Sequence, residues 1–129
     1  LYEWMSKLPR ESAHPFYLNY DKYPDGYCKF FIFGDSDKKI PSYLRIYNKV
    51  GMAYGFLIDN AYIIDTKNKI EFFLTVSVYS NDNQTLNDDT YEYDELTLPF
   101  LAEFGEKIYN YELSRTRSVN PDLSRFISQ

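Results

Sequence analysis

Residues 43–79 constrain this chain most, because three extended segments follow one another there with only short breaks between them. Tyr43–Met52 sets Leu44, Ile46 and Asn48 against Tyr43, Arg45 and Tyr47 in alternation. Tyr54–Asp65 is apolar nearly throughout, as a central strand is when both its faces are covered. Thr66-Lys-Asn-Lys69 is a four-residue turn, and Ile70–Tyr79 is rich in Phe, Val, Thr and Tyr. Connections this short can only reverse direction, so the spacing predicts a three-stranded antiparallel meander. Three strands are at the low end for independent stability, which hints at further strands from elsewhere.

The flanks read as helix and loop. Tyr2, Met5 and Leu8 recur every three residues before Pro9, which predicts a short helical lead-in over residues 1–8. Residues 9–24, with Pro9, Pro15 and Pro24, read as an irregular connector. Asp25 suits an N-cap and Gly34 a C-terminal stop, so a short helix is expected over Gly26–Phe33. The run Tyr27–Phe33 would also satisfy a strand. Residues 35–42 form a charged loop, and residues 80–94 are turn-rich and acidic. A helix is predicted from Pro99 to about Arg115, with a stripe of Leu101, Phe104, Ile108 and Tyr111 to pack on the sheet. Residues 118–129 read as a loosely attached tail. The expected fold class is α+β, in one domain spanning residues 1–129.

Charge and residue counts exclude several functions. The net charge is −5 and no Lys/Arg stripe appears, which argues against nucleic acid, whose phosphates need a basic field. One cysteine, Cys28, permits no internal disulfide or cysteine-based metal site, and a single His14 rules out multi-histidine ligation. No metal or other cofactor is expected. No stretch approaches the roughly 18–20 apolar residues of a membrane span. The chain opens at Leu1 without a signal-peptide pattern, as expected of a processed product or a piece of a longer protein. Fourteen Tyr and ten Phe favour half-buried strands and interfaces.

The string that bears most on chemistry is Asn48-Lys-Val-Gly-Met-Ala-Tyr-Gly-Phe-Leu-Ile-Asp59. Lys49-Val-Gly51 resembles the Lys-Thr/Ser-Gly triplet on the active-site strand of class A β-lactamases and penicillin-binding proteins. Tyr54-Gly55 followed by Asp59 resembles the stretch that continues that strand, and Ile40-Pro41 resembles its lead-in. With Asp25-Gly-Tyr27, Lys29-Phe-Phe31 and Gly34-Asp35, the wording is most similar to exported β-lactamase-like serine hydrolases of Bacteroidetes-type bacteria. The resemblance covers roughly residues 25–117.

The resemblance implies the C-terminal part of a β-lactamase/transpeptidase-like fold, whose remaining N-terminal part would be its partner. Lys49 would be the cleft lysine, adding positive potential for a substrate carboxylate and for proton transfer. Gly51 would let a substrate lie along the strand, and the Met52 amide would help form an oxyanion hole. The intact protein would perform acyl-serine chemistry on a β-lactam or cell-wall peptide in the periplasm or outside the cell. Val50 departs from the pattern, because valine cannot donate the hydrogen bond that the hydroxyl residue gives a substrate carboxylate.

No credible nucleophile accompanies this wall. Ser36-Asp-Lys-Lys39 has the letters of Ser-x-x-Lys, but it sits among charges after Gly34 and before Pro41, where a helix is not expected. Ser80-Asn-Asp82 has the wrong order for Ser-Asp-Asn. His14, between Ala13 and Pro15, is a poor triad base. The acidic residues Asp82, Asp88, Asp89 and Glu92 lack the EF-hand order, and Asn83-Gln-Thr85 is a sequon of a kind common by chance. Asp59 and Asp65 are expected to pin strand ends or caps. The piece alone is therefore expected to be inactive. The competing expectation is a non-catalytic binding or assembly module with an aromatic sheet surface, and the open sheet edge invites dimerisation.

Overall fold

A computed structural model describes residues 1–34 and 36–127. Asp35 of the charged loop and the last two residues of the tail lie outside the described residues. The fold is α+β, with a three-stranded antiparallel sheet in the order β1-β2-β3. The strands are β1 (Leu44–Ala53), β2 (Phe56–Asp65) and β3 (Ile70–Tyr79). The register pairs Lys49 with Asn60, Val50 with Asp59, and Ile63 with both Ile46 and Phe72.

The two hairpins follow from their turns. Tyr54 and Gly55 both take positive φ, 53° and 86°, the left-handed pair that closes a two-residue hairpin. β2 therefore starts at Phe56 and not at Tyr54, as the sequence pattern suggests. A Cβ on Gly55 would stand 2.6 Å from the Ser80 carbonyl oxygen, so the chain leaving β3 also requires glycine there. At the other turn, Asp65 accepts hydrogen bonds at 2.8 Å from the amides of Lys67 and Asn68. This bears out the expectation that Asp65 pins a strand end.

The lead-in is α1 (Tyr2–Ser6) followed by a single 3₁₀ turn over Pro9–Glu11. The expected helix over Gly26–Phe33 does not form. Only Phe30–Phe33 (α2) bends into a turn, with Phe31 extended (ψ 135°) and Ile32 at φ 72°. A regular helix would point Phe30, Phe31 and Phe33 in different directions, whereas the bend buries all three. Asp25 is not an N-cap. Its buried carboxylate accepts from Arg10 Nε at 2.7 Å and from the Ile40 amide at 2.8 Å, clamping the lead-in to the charged loop.

The C-terminal helix starts earlier than Pro99. Residues 93–114 are a continuous 22-residue helix, opening with a π-helical turn (Tyr93–Thr97) that leads into α3 (Leu98–Ser114). The ring of Pro99 crowds the carbonyl four residues back, and the wider turn makes room for it. Asp94 and Glu95 in that turn suit the positive end of the helix dipole. The buried stripe runs through Leu98, Leu101, Gly105 and Glu112, while Tyr111 is exposed, so the helix is rotated from the expected face. Gly105 is the reason. A Cβ there would stand 2.7 Å from the Ile32 nitrogen and 2.8 Å from the Phe31 Cβ, so α2 nests against α3 at that point.

The main core lies between the sheet and α3, with α2 inserted between them. It gathers Phe30, Phe31, Phe33, Ile46, Leu57, Ile63, Leu98 and Leu101. On the opposite sheet face Tyr47, Tyr62 and Ile64 pack with Leu123, and Met5 and Phe126 close over them. The segment after Arg117 is thus anchored by Leu123 and carries a further turn, α4 (Ser124–Ile127), features that the sequence pattern leaves unread. Beyond these covers the outer face stays open, with Phe73 78% exposed.

Candidate functional site

The Lys49 strand borders a cleft of about 310 Å³. One wall is β1 at Asn48, Lys49 and Val50. The second comprises α1 and the connector from Lys7 to Tyr17, and the third is Tyr27–Lys29. The connector is held in place by polar clamps, Arg10 to Asp25 and Arg45 to Glu11 at 2.9 Å.

Strand alternation sorts the β1 side chains. Asn48 and Val50 turn to the core side, Val50 packing against the apolar cluster, while Lys49 points to the other face and stays exposed. Among the described residues Lys49 Nζ donates to the Val50 carbonyl alone, at 3.2 Å. Of the residues expected to act, Lys49 lines the cleft, whereas Gly51 and Met52 lie further along the strand and outside its lining. A Cβ at Gly51 would meet nothing within 4 Å, so packing does not require the glycine.

The structure adds three residues. Lys29, only 5% exposed, donates from Nζ to the Met5 carbonyl at 2.8 Å and to Asn48 Oδ1 at 2.6 Å. Asn48 Nδ2 donates in turn to the Cys28 carbonyl at 2.7 Å and to Asp59 Oδ1 at 2.9 Å. Asp59 is fully buried, and its Oδ2 makes no hydrogen bond of good geometry; the nearby Phe31 and Phe30 amides only partly offset its burial.

The carboxamide of Asn48 therefore separates two buried groups of opposite charge. Burial lowers the Lys29 ammonium to about 8, against a partial opposing pull from Asp59. Burial raises Asp59 to about 6, despite the hydrogen bond from Asn48. Such a cluster can hold a buried positive charge at a cleft wall at neutral pH and release it in mild alkali. Asp59, expected to pin a strand end, instead sits mid-strand in this cluster.

The other candidates are dispersed. His14 is exposed on the cleft wall, and no hydrogen bond joins it to a serine or carboxylate among the described residues. Ser12, on the same wall, gives its hydroxyl to the Pro15 carbonyl at 2.8 Å. Ser36 lies in a non-helical stretch and lines a different hollow with Phe33, Asp94 and Leu98, so no helix face joins it to Lys39. In the acidic loop Asp88 accepts from Asn83 Nδ2 at 2.8 Å and from the Thr90 amide at 3.1 Å. Among the described residues, no group of three or more His, Cys, Asp or Glu is placed to hold a metal ion, and no helix is long and apolar enough to cross a membrane.

Lys29 enters the sequence pattern only as a letter of Lys29-Phe-Phe31, with no role of its own. It closes no motif of its own and sits within an aromatic run, where one lysine looks like the solvent side of a helix. Asn48 carried a weak signal, as a polar residue at an inward position of β1. Comparison of the chain with protein-family models, curated proteins and solved structures finds no match.

Proposed function

We propose that the chain is the C-terminal portion of a β-lactamase-like serine hydrolase, with Lys49 on the wall of its cleft. The observation that carries this reading is the arrangement on β1. An exposed lysine stands beside a cleft, and two residues on is a glycine for which the fold has no packing need. A glycine kept where a side chain would fit suits a strand along which a substrate is laid. The open sheet suits completion by further strands, either from the rest of the same fold or from a second copy of the chain. The nucleophile would come from outside these residues, and the site of action would be the periplasm or the cell exterior.

The reading is tested with a fluorescent penicillin. The 129-residue chain is expected to form no covalent adduct, and a chain extended at its N-terminus is expected to form one that survives denaturing electrophoresis. Labelling of the 129-residue chain would overturn the assignment of the nucleophile to another segment. Failure of the extended chain to label, or to hydrolyse any β-lactam or D-amino-acid peptide, would overturn the hydrolase reading. A second reading, a non-catalytic binding or assembly module, is favoured by the exposed Phe56, Ile58, Phe73 and Tyr79.

A further inference from the structure

The cleft is electrically one-sided. The chain carries nineteen Asp and Glu side chains against fourteen lysines and arginines, yet among the described residues the lining includes Lys7, Lys29, Lys49 and His14 and no Asp or Glu. Lys7 is paired with Glu3 at 3.3 Å and lies over the Trp4 ring, and Lys49 is open to solvent. Lys29 differs from both. It is buried, and among the described residues two acceptors, the Met5 carbonyl and Asn48 Oδ1, serve the three donors of its ammonium. Asp59, the buried carboxylate that most supports its charge, is held behind the Asn48 amide, and no ion pair joins the two among the described residues. Trp4, Tyr17 and Tyr27 supply flat walls to the same space.

The geometry points to a binding site for a small organic carboxylate with a flat apolar body, its anionic end held by Lys29 and its entry guarded by Lys49. A buried ammonium with an unused donor gains a charge-assisted hydrogen bond when an anion enters. Aromatic walls contribute only if the ligand carries apolar surface to cover them. The volume of about 310 Å³ suits a ligand of that size. This inference does not rest on the hydrolase reading, because it requires no nucleophile and no penicillin labelling.

The probes are benzoate, acetate and inorganic phosphate, titrated into the 129-residue chain by calorimetry and by the fluorescence of Trp4, the chain's one tryptophan. Benzoate is expected to bind and to change the Trp4 signal, with acetate weaker. Lys29→Met is expected to cost about tenfold or more in affinity, the worth of one charge-assisted hydrogen bond. Lys49→Ala is expected to cost less, and Lys38→Ala, at an exposed loop lysine outside the lining, nothing.

Should Lys29→Met fail to fold, the pH profile carries the test. Besides Asp59, Lys29 feels Glu11, Arg45 and Cys28, so the profile is measured on Cys28→Ser to remove the thiol. Benzoate affinity is expected to fall as pH rises through about 8, well below the range of an ordinary lysine. No benzoate binding, an affinity flat across that range, or full affinity in a folded Lys29→Met protein would each overturn the site. Phosphate binding more tightly than benzoate would overturn the assignment to an organic ligand.

Discussion

Asp59 and Lys29 show what a single position can hide. Asp59 reads in the sequence as a strand-end residue, and Asp65 six residues on reads the same way. Asp65 fulfils that role, capping its turn and taking the Tyr109 hydroxyl at 2.6 Å. Asp59 does not, because the register sets it opposite Val50 in mid-sheet, facing the core. Spacing cannot separate the two, since the difference is made by residues from α2. The pair has a pH signature. Asp59 is raised to about 6 in the folded state from an ordinary 3.8, so the folded state holds its proton longer. Stability should therefore fall as pH rises from about 4 to 6, by on the order of 2 kcal/mol. Lys29 is lowered to about 8 from 10.5, so above 8 the unfolded chain binds the extra proton and stability should recover. Urea midpoints measured across this range are expected to show a trough between 6 and 8. Asp59→Asn should remove the lower slope and shift the upper recovery to lower pH, since the carboxylate supports the Lys29 charge. A flat profile in the wild type would rule out the buried pair as drawn.

Among the elements, those governed by local chemistry were legible and those governed by packing were not. The second hairpin declares itself through the polar turn Thr66–Lys69 that Asp65 caps, whereas Tyr54-Gly55, which closes the first, reads in the sequence as the start of a strand. The bend at Phe30–Phe33 is specified from a distance, by a glycine on a helix some seventy residues later. That same nesting turned α3 away from its apparent apolar face. Gly105→Ala should lower stability by about 1–3 kcal/mol, because the added methyl lands on backbone that cannot step aside. Gly51→Ala, with open space around it, should change stability by less than about 0.5 kcal/mol. Thermal melts of the two variants make the comparison, and equal losses would count against the α2–α3 contact.

At the scale of the whole molecule, the sheet is short of neighbours. Among the described residues β1 and β3 each pair with β2 alone, and β3 runs ten residues without proline, glycine or lysine. Edges of that kind take up another strand unless charge prevents it. The chain alone is expected to associate as its concentration rises in sedimentation experiments, and lysines at the outward-facing Thr75 and Ser77 should return it to monomer. A wild-type chain that stays monomeric at high concentration would remove the edge as a contact. The clamps around the cleft carry a different consequence, which concerns the order of assembly. The meander is stitched from neighbours in sequence, whereas the cleft walls depend on Arg10–Asp25, Lys29–Asn48 and Glu11–Arg45, which lie 15, 19 and 34 residues apart. Loops of that length close late, after local hairpins have paid their smaller entropy cost. The walls should therefore be the last part to form and the first to open, and amide exchange should find residues 5–29 less protected than β2. The cleft would then admit its ligand by brief loss of its own wall while the sheet beneath stays folded.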